Sequence, residues 1–342
     1  MKQIFKINWI FLLITLSLNG PSFTQQTIYF ADAHYSGFAS EMYENQYDKI
    51  PKQCVNQLKE YFNVGGRLVG IVFTVPDYNK IVMKVIPDSV IIVMYNIYDE
   101  ILKLNCDFLT SFNPHSLDTS KLNLFITIEG LTESSINKLL DIDTEHYIMV
   151  VGIIHNNDTE LGNCCYCSKE NDMGLTEKGK ALIEKLIRNK IIIDVAHTSL
   201  NSFRDILKIC IEKNGLVLSS HTGLYDLNEH PRNLRNEQIE ELKKIDGGIG
   251  LIIHQPYISK MPTKKTTIAT YFELLEFLVN DMNMKNVFIG SDYCSDIQPI
   301  VGVHSLADLP REILHYDKSN LTSQEIQGFT INNLLKIFNK IN

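Results

Sequence analysis

Apolar runs of β type alternate with amphipathic helical stretches along most of the chain, and this alternation is its strongest structural signal. Strand-like runs span Thr27 to His34, Arg67 to Val75, Leu122 to Glu129, Tyr147 to His155, Ile191 to His197, Leu216 to His221, Gly248 to His254 and Val287 to Asp292. Between them the apolar spacing predicts helices over Pro51 to Phe62, Ser89 to Leu104, Glu133 to Leu140, Thr176 to Asn189, Ser199 to Lys213, Asn236 to Ile245 and Ile268 to Met284. A last helix is predicted from Thr322, where Thr322-Ser323-Gln324-Glu325 has capping-box spacing ahead of Ile326, Phe329, Leu334 and Phe338. Runs without polar alternation, such as Ile191-Ile192-Ile193, suit strands covered on both faces, as in parallel sheets. The alternation therefore predicts a (β/α)8 TIM-type barrel with a C-terminal helix. An open doubly wound sheet is the competing architecture, but no Gly-x-Gly-x-x-Gly turn follows the first strand.

The strand ends carry a second pattern. Seven of the eight predicted strands finish on or beside His34, Glu129, His155, His197, His221, His254 or Asp292. In a barrel of this type the active site lies at the C-terminal ends of the strands, so residues scattered along the chain converge on one pocket. Imidazole and carboxylate are ligands that suit divalent zinc. His197, His221 and Glu129 supply three such ligands, and His34 offers an anchor for a second ion, with Glu129 placed to bridge the two. Two metals about 3.5 to 4 Å apart bind a water-derived hydroxide and clamp a tetrahedral intermediate, which is hydrolase chemistry. A lone histidine at a strand end is ordinarily a hydrogen-bonded structural residue, and His254 is left in that role. It is the recurrence at one end of successive strands, in a chain with only 10 histidines, that points to a metal site.

Composition narrows the class without choosing it. A chain of 342 residues that is 44% hydrophobic and 21% charged can bury a large core as one barrel-sized domain. The net charge of -8, with no basic run longer than Lys264-Lys265, gives no footprint for a phosphate backbone, so nucleic acid is not an expected partner. Residues 1-26 pair Lys2 and Lys6 with the apolar run Trp9 to Leu18, then small and polar residues, and read as a secretory signal peptide ahead of a single domain over 27-342. The expectation is an exported protein, periplasmic or secreted. The segment Asn333 to Asn342 is amphipathic rather than a hydrophobic tail, so no stable membrane anchor is expected once the signal is removed. Seven cysteines are an odd number for an oxidising compartment, and at least one thiol is expected to stay free or to pair between chains. The dense cluster Cys164-Cys165-Tyr166-Cys167 lacks a second ligand pair at zinc-finger spacing and reads as a loop disulfide or free thiols.

Several short stretches, in order and spacing, resemble the membrane dipeptidase (renal dipeptidase-like) family of amidohydrolase-type barrels. They are Ile128-Glu129-Gly130, Gly174-Leu175-Thr176-Glu177-Lys178-Gly179, Ile193-Asp194-Val195-Ala196-His197-Thr198-Ser199, Ser219-Ser220-His221-Thr222, His230-Pro231-Arg232-Asn233-Leu234 and Gly290-Ser291-Asp292-Tyr293. The resemblance runs from about Ala31 onward and is thin between Gly37 and Lys121. It implies a binuclear zinc barrel that hydrolyses dipeptides, tolerates a D-residue on the C-terminal side, and leans toward a homodimer. Carried over position by position, it makes Glu129 the bridging carboxylate, His197 and His221 ligands of one zinc, and His34 a ligand of the other. It makes His155 the residue that polarises the scissile carbonyl, Arg232 the holder of the substrate's terminal carboxylate, and Asp292 the handler of the proton of the metal-bound water. A guanidinium suits the carboxylate because its fork donates two parallel hydrogen bonds.

One position departs from the family pattern. The family's first motif is Asp-x-His-x-Asp, with the second Asp a zinc ligand, whereas here the stretch is Asp32-Ala33-His34-Tyr35-Ser36. A neutral hydroxyl is a poor zinc ligand, so the His34 site is expected to be the weaker of two. Three readings stay open: a working dipeptidase in which Asp32, Asp292 or water completes that site; an amidohydrolase-type enzyme running on one tight metal; and a catalytically impaired relative that binds peptides in the old pocket.

Overall fold

The computed structural model describes residues 28–75, 88–260, 265–294 and 297–341. The expected signal peptide, with the start of the first predicted strand, lies outside the described residues. The strands are β1 (Phe30–Tyr35), β2 (Gly66–Phe73), β3 (Leu109–Ser111), β4 (Leu122–Glu129), β5 (Ile148–Gly152), β6 (Ile192–Asp194), β7 (Val217–Thr222), β8 (Gly248–Leu251) and β9 (Val287–Ile289). All pairings are parallel and run in the order β1-β2-β4-β5-β6-β7-β8-β9, with β3 off this path beside β4. β3 pairs with Leu122 to Leu124 and β5 takes over from Ile126, so the two share one edge of β4. Between β9 and β1 the ring is drawn together by the Asp292 N–H, which donates to the His34 carbonyl at 2.8 Å, and by the Ser291 N–H, which donates to Asp32 Oδ1 at 3.0 Å. The eight strands on the path form the nearly closed barrel that the alternation predicts.

Two apolar clusters follow from strand alternation. One lies between the strands and the surrounding helices; the other joins Ala31, Leu68, Phe125, Val150, Ile192, Leu218 and Phe288 inside the barrel. Helix Asn333–Phe338 completes the inner cluster, with the Phe338 ring 4.9 Å from that of Phe125 and 5.0 Å from that of Phe112. It plugs the end of the barrel opposite the site.

The predicted helices are present with small shifts at their ends. Thr132, Thr176, Ser199 and Thr322 each accept a backbone N–H as N-cap, and Thr322 with Glu325 forms the expected capping box. The predicted helix from Ile268 is α-helical to Glu276 and then widens to a π-turn over Phe277–Asp281. Helices Gly37–Glu44, Gln255–Ile258 and Asp308–His315 and strand β3 were not predicted; each is short, between three and eight residues. In the first of these, buried Glu41 accepts the Gln53 and Cys54 N–H groups, capping helix Lys52–Asn63, whose own N-cap Pro51 offers no side-chain bond. All seven cysteines are free thiols. No helix among the described residues is long and apolar enough to cross a membrane.

Candidate metal centre

The strands bring the expected residues to one end of the barrel. His34 lies in β1, Glu129 closes β4 and His221 lies in β7, while His155, His197 and Asp292 each stand three residues beyond β5, β6 and β9. Those turns leave the extended region sharply: φ is 67° at His197 and 56° at Asp292, the left-handed region that branched and bulky residues avoid. Such backbone persists where the surroundings hold it, commonly at functional sites.

Glu129 is the hub. Its Oε2 lies 3.3 Å from His34 Nε2, 3.4 Å from His197 Nε2 and 3.9 Å from His221 Nε2, and its Oε1 lies 3.4 Å from His155 Nε2. His197 Nε2 and His221 Nε2 are 3.0 Å apart, and the His34 and His221 rings stack at 3.9 Å. Among the described residues, two groups of ligand atoms have every member within 4.8 Å of the others: Glu129, His197 and His221, and then His34, His221 and Asp292. His221 belongs to both. Ser36 donates its hydroxyl to Asp292 Oδ1 at 2.7 Å, so the residue that replaces the expected carboxylate reaches the centre through Asp292.

Electrostatics fit the same arrangement. Burial, then the positive charge of Arg232 and neighbouring imidazoles, holds His197 well below the ordinary histidine range; burial, then His34 and Arg232, does so for His221. Burial works to raise Glu129, but His155, His34 and His197 outweigh it and keep the carboxyl well below its usual range. At neutral pH these are two neutral imidazoles and one carboxylate, the forms that ligate a divalent metal. Burial works to lower His34, yet Glu129, Asp292 and Asp194 lift it above its ordinary value, and burial raises Asp292. His34 Nε2, Glu129 Oε2 and Asp32 Oδ2 are fully buried without a hydrogen bond. Buried polar atoms are normally paired, and His34 Nε2 and Glu129 Oε2, orphaned 3.3 Å from each other, fit a cation shared by both. The donor set, all nitrogen and carboxylate oxygen, suits zinc.

Arg232, only 4% exposed, donates from Nη2 to the His221 carbonyl at 3.3 Å, while its Nε has no hydrogen-bond partner. His197 and Arg232 also line a cavity of about 640 Å³ alongside the centre. His254 stays apart, as expected: its Nδ1 accepts the Gln298 N–H at 3.0 Å and its ring meets Tyr257 edge-on. The cysteine-rich loop braces the centre through its backbone, the Cys165 N–H donating to the His197 carbonyl at 2.7 Å. Sequence reasoning missed Asn156, whose Oδ1 lies 2.8 Å from His197 Nδ1, and the pair Asp194 and Ser220 behind His34 and His221. Asp194 and Ser220 lie within the quoted motifs and Asn156 directly follows His155, but nothing in their spacing distinguishes an orienting partner from a buried polar residue.

Parallel strands carrying imidazoles and carboxylates at their C-terminal ends define the class: a (β/α)8 barrel with a metal site. Within that class the chain belongs to the membrane dipeptidase family (peptidase family M19), whose family model matches residues 98–342. An uncharacterized dipeptidase of Schizosaccharomyces pombe is 24% identical over 229 residues, 65% of this chain and 54% of that protein. Dipeptidase aclJ of Aspergillus oryzae is 23% identical over 168 residues, 49% of this chain and 39% of that protein. The chain thus spans about half the length of the curated relatives it matches. A metallo peptidase from Rhodobacter sphaeroides, liganded with a phosphinate mimic of the dipeptide L-Ala-D-Ala, shares the fold with a TM-score of 0.76 at 14% identity, covering 92% of this chain and 100% of that one. The crystal structure of dipeptidase AC gives a TM-score of 0.74 at 15% identity, covering 92% and 99%.

Proposed function

We propose that this chain is a zinc-dependent dipeptidase that hydrolyses short L,L or L,D dipeptides, with His34, Glu129, His197 and His221 as metal ligands. The observation that carries the reading is the convergence of three imidazole Nε2 atoms on the buried oxygen Glu129 Oε2. Zinc held there supplies a water of lowered pKa and polarises the scissile carbonyl. The chain's own groups do the rest. His155, within 3.4 Å of Glu129 Oε1, donates to the carbonyl oxygen as charge develops on it. Asp292, turned toward His34 and held by Ser36, takes a proton and passes it to the departing amine. Arg232, with a buried donor to spare, grips the terminal carboxylate and so selects short substrates. Export, read from Lys2, Lys6 and the run Trp9 to Leu18, belongs to the same reading.

The Ser36–Asp292 hydrogen bond favours a second reading in which one ion is held tightly and the His34 side weakly, with an altered amide as substrate. Metal analysis combined with a panel of L,L and L,D dipeptides, L-Ala-D-Ala among them, separates the two. The first reading expects two zinc ions per chain and dipeptide turnover; one ion with no dipeptide turned over favours the second. Absence of both metal and turnover defeats both.

A further inference from the structure

We propose that Ser220 is a positioning residue that sets the tautomers of two metal-site imidazoles, His34 and His221, with Asp194 as the hydrogen-bond acceptor that orients it. The inference rests on the metal-site reading above. A serine hydroxyl has one proton to give and two lone pairs to receive. Asp194 Oδ1 accepts the N–H groups of Ala196 and Ser220, both at 2.9 Å, and Asp194 Oδ2 accepts the Ser220 hydroxyl at 2.5 Å. Three donors converge on this carboxyl group, and the one proton of Ser220 is directed at its Oδ2. The lone pairs of Ser220 Oγ then face His221 Nδ1 at 2.7 Å and His34 Nδ1 at 3.2 Å. Both ring nitrogens must therefore carry hydrogen.

A neutral imidazole with its hydrogen on Nδ1 presents a lone pair at Nε2, the atom each ring turns toward Glu129 Oε2. One hydroxyl thus prepares a ligand in each of the two donor groups, and its loss disturbs both. His197 reaches the same state separately, through Asn156. Water has no ready access to substitute: Ser220, Asp194, His34 and His221 are all 1% exposed or less. Nor has Ser220 room to move. A Cβ built on Gly250 or Gly290 would lie 1.8 or 1.7 Å from the Ser220 carbonyl oxygen, so β8 and the end of β9 press their bare backbone against it.

The test compares full-length wild type, Ser220→Ala, Asp194→Asn and Ser219→Ala in zinc competition against a chromophoric chelator, with imidazole ¹⁵N NMR of the metal-free protein at alkaline pH. Ser219 is the control, being equally buried on the same strand with a hydroxyl that has no hydrogen-bond partner. Zinc affinity should fall about 10- to 100-fold in Ser220→Ala and Asp194→Asn, as for other partners behind metal ligands, and stay unchanged in Ser219→Ala. In the NMR spectrum His34 and His221 should be Nδ1–H tautomers in wild type, and at least one should convert in Ser220→Ala. Asp194→Asn keeps the size and shape of the side chain and carries the test alone if Ser220→Ala does not fold. Unaltered zinc affinity in Ser220→Ala, an equal loss in Ser219→Ala, or Nε2–H rings in wild type overturns the proposal. A wild type that binds zinc but leaves dipeptides intact removes the substrate reading and leaves this one standing.

Discussion

Ser36 stands where the family motif is expected to carry an aspartate, and its hydroxyl donates to Asp292 Oδ1 at 2.7 Å. On the two-ion reading proposed above, the centre then has one unit less negative charge to offset the ions. Restoring it by Ser36→Asp should raise occupancy of the weaker site, measured as zinc per chain after dialysis against limiting zinc. The metal-free variant should melt earlier than wild type, because two carboxylates then face each other with no cation between them. Unchanged metal content would remove this role from the position. At this scale the convergence of His34, Glu129, His197 and His221 was legible from side-chain chemistry at strand ends. Asn156, Asp194 and Ser220 were not, because Asn156 meets the His197 ring 41 residues away, Asp194 meets Ser220 26 residues away and Ser220 meets the His34 ring 186 residues away, contacts that spacing along the chain conceals.

The strand patterns overran their elements by a consistent amount. β5, β6, β8 and β9 each stop three residues before the His or Asp on which the apolar run was expected to end. The intervening residues are apolar because they are buried in the turn, as with Ile153, Ile154, Val195, Ile252 and Ile253, so periodicity alone cannot mark where the ladder ends. After β8, His254 anchors the returning segment by accepting the Gln298 N–H, which requires a bare Nδ1. Burial, then His230 and Arg232, pushes this imidazole from 6.5 down to about 4. With its folded value depressed, the folded protein binds fewer protons than the unfolded chain in that window. Its contribution is complete above pH 6.5 and is lost as pH falls toward 4. Melting temperature followed from neutral pH to pH 4 should fall less steeply in His254→Gln than in wild type; parallel curves would contradict the assignment. At the opposite end, Phe338→Ala should cost about 3–5 kcal/mol in urea unfolding by emptying the plug against Phe125 and Phe112, with zinc affinity intact. A loss below about 1 kcal/mol would mean that the helix does not hold the barrel shut.

For the whole molecule, the barrel was legible because every strand on the ring is sheltered on both faces and every crossover needs a helix, so fold and pattern repeat together. The stretch between Gly37 and Lys121, where resemblance to the family is thin, is also where helix Gly37–Glu44 and strand β3 went unpredicted. Short elements there are set by tertiary partners such as β4 and the Glu41 cap rather than by their own periodicity. Metal binding by the converged imidazoles and Glu129 underlies every role proposed above. Equilibrium dialysis of the metal-free chain against micromolar zinc, run beside Glu129→Gln, tests it most directly. At least one tightly held zinc ion is expected per wild-type chain, and that ion should be lost in the variant. No bound zinc in wild type, or the same amount in both proteins, would contradict it.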